Sequence, residues 1–110
     1  MDMNQAIAAL SALSQPTRLE IFRLLVTAGP DGLLPGEIAT TLDLRQNTLS
    51  ANLAILLQAR LARNQREGRT IRYFADIAGI RAMLTFLVAD CCGGRPDICQ
   101  PLLELANCNC

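Results

Sequence analysis

The chain has 110 residues, about half of them hydrophobic, with ten basic and ten acidic side chains, five cysteines and no histidine. Its length predicts one domain, and the abundance of Ala and Leu without Trp favours helices over strands. A formal charge of zero excludes a uniformly basic nucleic-acid binder, but the distribution is uneven: Arg45, Arg60, Arg63, Arg66, Arg69 and Arg72 lie in a stretch whose single acid is Glu67, a local basic patch suited to phosphates.

Asn4 to Leu13 reads as a first helix, Ala-rich, with Ile7, Leu10 and Leu13 near one face. Ser14-Gln15-Pro16 is a start signal, with a capping Ser or Gln and a proline whose missing N–H costs nothing in a first turn. A second helix runs from about Pro16 to Ala28, carries Ile21, Leu24 and Leu25 at helical spacing, and is closed by Gly29-Pro30-Asp31-Gly32. Pro35 opens a short third helix to about Leu42, and Asp43-Leu44-Arg45 is the turn before a fourth, Gln46 to Arg60, with Leu49, Leu53, Leu56 and Leu57 as its inward stripe.

The period then changes. Arg63 to Phe74 holds Glu67-Gly68 as a tight turn followed by the alternating Thr70-Ile71-Arg72-Tyr73-Phe74, which predicts a β-hairpin. A fifth helix follows from about Ile77 to Asp90, apolar on most sides, and Gly93-Gly94 ends it. A helix of that kind in a small domain has both its own core and a partner chain to bury against. Met83, Leu84, Leu87 and Val88, with Ile7 and Leu10, are therefore expected to include the contacts of a homodimer. Residues 1–92 form the expected domain and 93–110 a cysteine-containing tail.

Met1-Asp2-Met3-Asn4 has neither the basic nor the apolar region of a secretory leader, and the apolar run from Met83 to Ala89 is too short to span a bilayer. A cytoplasmic protein with no membrane partner is expected, in a compartment where thiols stay reduced and clustered cysteines read as ligands or redox centres.

Short helices, a longer helix and an arginine-rich hairpin, in that order, predict a mainly α fold with a β-hairpin: a winged helix-turn-helix. The fourth helix then enters the major groove of double-stranded operator DNA, where base edges carry a distinguishable code. With its leucines turned inward, its first turns offer Gln46, Asn47, Thr48, Ser50 and Asn52, and the small Ala51 lets the backbone approach. Amide side chains pair with adenine, hydroxyls with bases or phosphates. Arg63 and Arg72 are expected on phosphates, with Arg66 beside them and Arg69 at the wing tip.

The segment Leu13-Ser14-Gln15-Pro16-Thr17-Arg18-Leu19-Glu20-Ile21-Phe22-Arg23-Leu24-Leu25 resembles the second-helix signature of the arsenical-resistance repressor family, ArsR/SmtB. Gln46-Asn47-Thr48-Leu49-Ser50-Ala51-Asn52-Leu53 is similar to that family's recognition helix, and Arg66-Glu67-Gly68-Arg69 with Ile71-Arg72-Tyr73 to its wing. The resemblance spans roughly residues 5 to 92. It implies a dimer built from the first and fifth helices, bound to a palindromic operator and released by a metal or metalloid. The family commonly carries a histidine where this chain has Asn52.

Cys91, Cys92, Cys99, Cys108 and Cys110 supply soft thiolates without imidazole, a set that selects arsenic(III), antimony(III), Cu(I), Cd(II) or a tetrathiolate Zn(II). Adjacent helical residues do not face each other, but Gly93-Gly94 lets the chain turn after Cys91-Cys92 and return Cys99 as a third ligand. Three thiolates suit a trigonal-pyramidal arsenic(III). Cys108 and Cys110 are accessory candidates that could complete a tetrahedral site. Cys-Cys-Gly-Gly-Arg-Pro-Asp-Ile-Cys resembles the arsenic repressors whose site follows the fifth helix.

No nucleophile–base pair, phosphate loop or paired-carboxylate cluster stands out, so no enzyme is expected. A thiol-redox-switched repressor and a Cd/Zn-responsive repressor of the same fold are the rivals within DNA binding. A metal-carrying thiol protein is the rival from another class.

Overall fold

Helix-start chemistry is local, and it places most elements of the computed structural model, which describes residues 1–89. The order is α1 (Met3–Leu13), α2 (Pro16–Ala28), a 3₁₀ turn (Gly29–Asp31), α3 (Pro35–Leu42), α4 (Gln46–Gln58), β1 (Ala62–Glu67), β2 (Thr70–Ala75) and α5 (Ile77–Val88). Asp2 and Gln5 form a reciprocal capping box on α1: each backbone N–H donates to the other's side chain, at 2.9 and 2.8 Å, satisfying two donors the helix leaves open. Gln15 Oε1 accepts from Arg18 N–H at 2.8 Å while Pro16 occupies the first turn of α2. Asp76 caps α5 by accepting from Gly79 N–H at 3.0 Å.

The core lies where α1, α2, α3 and α4 meet the root of the hairpin. Ile21, Leu25, Ile38, Leu49, Leu56 and Leu61 are completely buried there. Each Leu→Ala change at such a site costs about 2–5 kcal/mol, so the inward stripe of α4 holds the recognition helix firmly. Met83 belongs to this core as well, at 6 % exposure. That corrects its assignment to a dimer surface: the face of α5 that carries it closes the protomer's own core.

Three further corrections concern the chain after α4. The helix stops at Gln58 rather than Arg60, because Arg60 takes a left-handed conformation (φ 64°) and Leu61 N–H bonds back to Leu56 O at 3.0 Å. The hairpin pairs Glu67 with Thr70, so its two-residue loop is Gly68-Arg69, not Glu67-Gly68. Gly68 supplies the positive φ (63°) that such loops need at low steric cost, and Arg69 stands at the tip as expected. The helix α5 ends at Val88; the expected boundary at 92 and the tail lie outside the described residues.

The stretch read only as the stop of α2 also contributes to the wing. Leu33 and Tyr73 exchange two backbone hydrogen bonds, both 2.8 Å, forming a one-residue third strand beside β2. Gly32 (φ 61°) reaches that pairing by passing so close to Phe74 that a side chain would overlap the ring and the Tyr73 carbonyl. The wing is thus fastened at its root to the segment that leads into α3.

Candidate nucleic-acid interface

The helices α3 and α4 are joined by Asp43, Leu44 and Arg45. Asp43 stops α3 in a left-handed conformation (φ 52°, ψ 55°), and Leu44 N–H bonds to Ala39 O at 3.0 Å. Aspartate tolerates that region better than most residues. Ile38 on α3 and Leu49 and Leu53 on α4 are buried together, which leaves the opposite face of α4 outward. Gln46, Asn47, Thr48, Ser50 and Ala51 are all exposed.

The N-terminus of α4 has no side-chain cap from Arg45, and Asn47 Oδ1 accepts from Thr48 N–H at 2.9 Å. The N–H groups ahead of it, on Gln46 and Asn47, remain to present a partial positive charge to an anion. Asn52 is the exception on this helix, at 9 % exposure. Its Nδ2 donates to Thr48 O at 2.9 Å and its Oδ1 accepts from Arg18 Nη1 at 3.2 Å. Both polar atoms face inward and are occupied, so Asn52 is not a base-reading residue; the α4 register places it beside Leu49, Leu53 and Leu56.

The wing arginines divide by what holds them. Arg72 Nε donates to both Glu67 oxygens, at 3.1 and 3.2 Å, and its Nη1 donates to Asp31 O at 3.2 Å. Arg72 therefore braces the wing against the 3₁₀ turn, with bonds that a phosphate would compete for. The pair is partly exposed, 28 % and 43 %, so it is worth only about 0–1 kcal/mol. Arg63 lies over the Phe74 ring with its guanidinium 4.2 Å from the centroid. This cation–π contact steers an exposed charge without removing it. Arg66 Nε donates to Gly68 O at 3.3 Å across the loop.

Arg69 at the tip and Arg45 before α4 are exposed and in no ion pair among the described residues. Arg45, part of the basic patch in the sequence but not among the expected DNA contacts, stands directly before Gln46 of α4. Arg69 and Thr70 of the wing and Gln46 and Ser50 of α4 line one cleft of about 820 Å³, together with Leu34, Glu37, Leu53 and Tyr73. A recognition-helix face and a charged wing tip thus border one concave surface.

On α1, Met3, Ile7 and Leu10 are exposed at spacings of four and three residues, and on α5 Ile77, Leu84 and Leu87 are exposed while Val88 is half-buried. Cys91, Cys92, Cys99, Cys108 and Cys110 lie outside the described residues. Among the described residues no group of three His, Cys, Asp or Glu side chains could hold a metal ion, and no helix is long and apolar enough to cross a membrane.

A family model described as a helix-turn-helix domain matches residues 13–65, from the end of α1 into β1. The transcriptional activator HlyU of Vibrio cholerae is 30% identical over 83 residues, covering 76% of this chain and 74% of that protein. The solved structure of reduced HlyU from the same species is 29% identical with a TM-score of 0.62, over 81% of this chain and 90% of that one. An ArsR-like transcriptional regulator from Rhodococcus sp. RHA1 is 26% identical with a TM-score of 0.69, over 89% of this chain and 92% of its own. A homodimeric winged helix-turn-helix DNA-binding domain from Mycobacterium bovis, a possible ArsR-family regulator, is 27% identical with a TM-score of 0.65, over 89% of this chain and 85% of its own. These proteins are DNA-binding or transcriptional regulators rather than enzymes. With an open-ended polar helix and an arginine-tipped hairpin on one concave surface, and a relative of this identity and coverage, the chain belongs to the ArsR/SmtB-type winged helix-turn-helix transcriptional regulators.

Proposed function

We propose that this regulator is a cytoplasmic homodimeric repressor that binds a palindromic DNA operator and leaves it when arsenic(III) or antimony(III) binds Cys91, Cys92 and Cys99. The observation that carries the DNA half is the one cleft lined by Gln46 and Ser50 of α4 and by Arg69 and Thr70 of the wing. In this reading α4 lies in the major groove, with Asn47 and Thr48 on base edges and Arg45, Arg63, Arg66 and Arg69 on the phosphates or in the adjoining minor groove.

Ile7, Leu10, Leu84 and Leu87, with Val88, form the dimer contact in this reading. The exposed apolar stripes of α1 and α5 support it, as does the homodimeric state of the mycobacterial relative. A two-fold dimer sets the two recognition helices about 34 Å apart, one turn of DNA.

The inducer half rests on the donor set, five thiols and no imidazole, which fits a soft thiophilic ion. Arsenous acid exchanges its three hydroxyls for three thiolates, each thiol proton leaving with a hydroxyl as water. Binding acts on DNA only through its preference for the low-affinity arrangement, so a tenfold release needs about 1.4 kcal/mol of coupling. Cys108 and Cys110 are accessory.

A duplex enriched by the protein from a random pool, then titrated with arsenite, antimonite, a methylated arsenical, Cd(II) and Zn(II) under excess reductant, tests this. Release by arsenite or antimonite supports it, release by Cd(II) or Zn(II) alone reassigns the inducer, and failure to enrich any duplex overturns the DNA reading. A second reading, a thiol-redox switch, is favoured by the relative solved in a named reduced state. It requires release by oxidant, reversed by reductant, and indifference to arsenite. Because the named relative is an activator, a promoter reporter in the presence and absence of the protein gives the sign of regulation, and repression is the expected one.

A further inference from the structure

Arg18 is half-buried in α2, away from the exposed face of α4, yet it holds two other helices at once. Its Nε donates to the carbonyl of Ala12 in the last turn of α1 at 2.8 Å, and its Nη1 donates to Asn52 Oδ1 on α4 at 3.2 Å. Asn52 continues the chain, its Nδ2 donating to Thr48 O at 2.9 Å in the turn that exposes Asn47, Thr48 and Ser50.

We infer that Arg18 and Asn52 are a positioning pair: they fix the recognition helix against α1 and so set DNA sequence discrimination, although neither belongs to the DNA-contacting face. The inference rests on the DNA-binding reading above and adds to it which internal residues govern specificity. The remaining contacts between α4 and the core are apolar, from Leu49, Leu53 and Leu56. Apolar packing is non-directional and tolerates small rotations of a helix about its axis. A guanidinium fork has fixed N–H directions, and a carboxamide that donates on one side and accepts on the other matches only one rotation.

Asn52 is the buried polar residue among the described residues, and no buried side-chain nitrogen or oxygen there lacks a partner. A polar pair at the edge of an apolar junction, with no buried polar atom left without a partner, specifies orientation more than it adds stability. The chain from Ala12 through Arg18 and Asn52 to Thr48 also links α1, which carries the exposed Ile7 and Leu10, directly to the base-reading turn. A shift of α1 in the dimer is thereby passed to α4.

The test separates orientation from stability. The double variant Arg18→Met/Asn52→Leu removes both sides of the Arg18–Asn52 contact and leaves the Ala12 carbonyl without its donor, a smaller loss than leaving one member of the pair buried without the other. It is compared with wild type on two duplexes at one salt concentration: one enriched by the wild-type protein from a random pool and a scrambled version of it. The expected result is a thermal midpoint lowered no further than in Asn52→Ala, an unchanged affinity for the scrambled duplex, and about tenfold less preference for the enriched one. Asn52→Ala, assayed well below its own midpoint, is the second variant and is expected to lose the same preference. Retention of the wild-type preference by either folded variant overturns the inference, as do equal losses on both duplexes. A wild-type protein that prefers no duplex overturns the DNA reading itself, whereas a discriminating wild type with equally discriminating variants overturns only the pair.

Discussion

Gly79, in the first turn of α5, is set so closely against the carbonyl oxygen of Arg60 that a Cβ there would overlap it. Arg60 is the left-handed residue that turns the chain from α4 into β1, so this contact registers α5 against the end of the recognition helix. Gly79→Ala is expected to push α5 away from that corner. Forcing a methyl into a packed site costs about 1–3 kcal/mol, read as a lowered thermal midpoint. Sedimentation should also show weaker self-association, because Leu84 and Leu87 move with α5. An unchanged midpoint would mean that the corner yields freely.

Base reading and phosphate binding separate by salt and sequence. Asn47→Ala should cost about 1–3 kcal/mol on an enriched duplex and little on a scrambled one. Arg69→Ala and Arg45→Ala should weaken both duplexes alike and reduce the slope of log affinity against log salt by about one each. Arg72→Ala should change the slope less, since Glu67 and Asp31 already hold that side chain. Titrations at several salt concentrations decide this; equal losses on both duplexes for Asn47→Ala would refute its assignment to a base.

Two residues one turn apart on α5 should respond in opposite ways. Leu87 is about half exposed, and Leu87→Glu should give a folded monomer with much weaker binding to a full palindrome. Met83 is buried, and Met83→Ala should cost about 2–5 kcal/mol of stability while the remaining folded protein still dimerises. Circular dichroism and sedimentation velocity read both effects. A dimeric Leu87→Glu protein would place the interface elsewhere.

For the inducer, Cys92→Ser or Cys99→Ser should leave binding to the enriched duplex intact and abolish release by arsenite. Cys108→Ser and Cys110→Ser should respond as wild type. The Cys99→Ser protein should still answer a methylated arsenical, which has only two positions for thiolates. Fluorescence anisotropy of labelled duplex under excess reductant gives the readout. Loss of response in Cys108→Ser or Cys110→Ser with retention in Cys99→Ser would move the site to the C-terminal pair.

The elements themselves are legible in the sequence because their causes are local. Pro16 and Gly29 bound α2, and Pro35 and Asp43 bound α3, through first-turn prolines and residues at home in left-handed stops. The leucine spacing of Gln46–Gln58 turns Asn47, Thr48 and Ser50 outward by periodicity alone. The hairpin follows from alternation and a glycine, with an error of one residue in its loop.

What each polar or apolar side chain does within those elements was decided by partners far away in the chain. Asn52 shares a helix with Asn47, but Arg18, 34 positions earlier, draws it inward. Arg72 looks as free as Arg69 until Asp31, 41 positions earlier, is folded against it. Met83 and Leu87 sit one helical turn apart with similar hydrophobicity, and only the packing of α5 on the core buries the first and exposes the second. Helix starts, stops and amphipathic faces are set by interactions within a few residues. The choice between a free side chain and an engaged one depends on which other segment the fold brings within about 3 Å of it, the reach of a hydrogen bond, and periodicity carries no information about that distance.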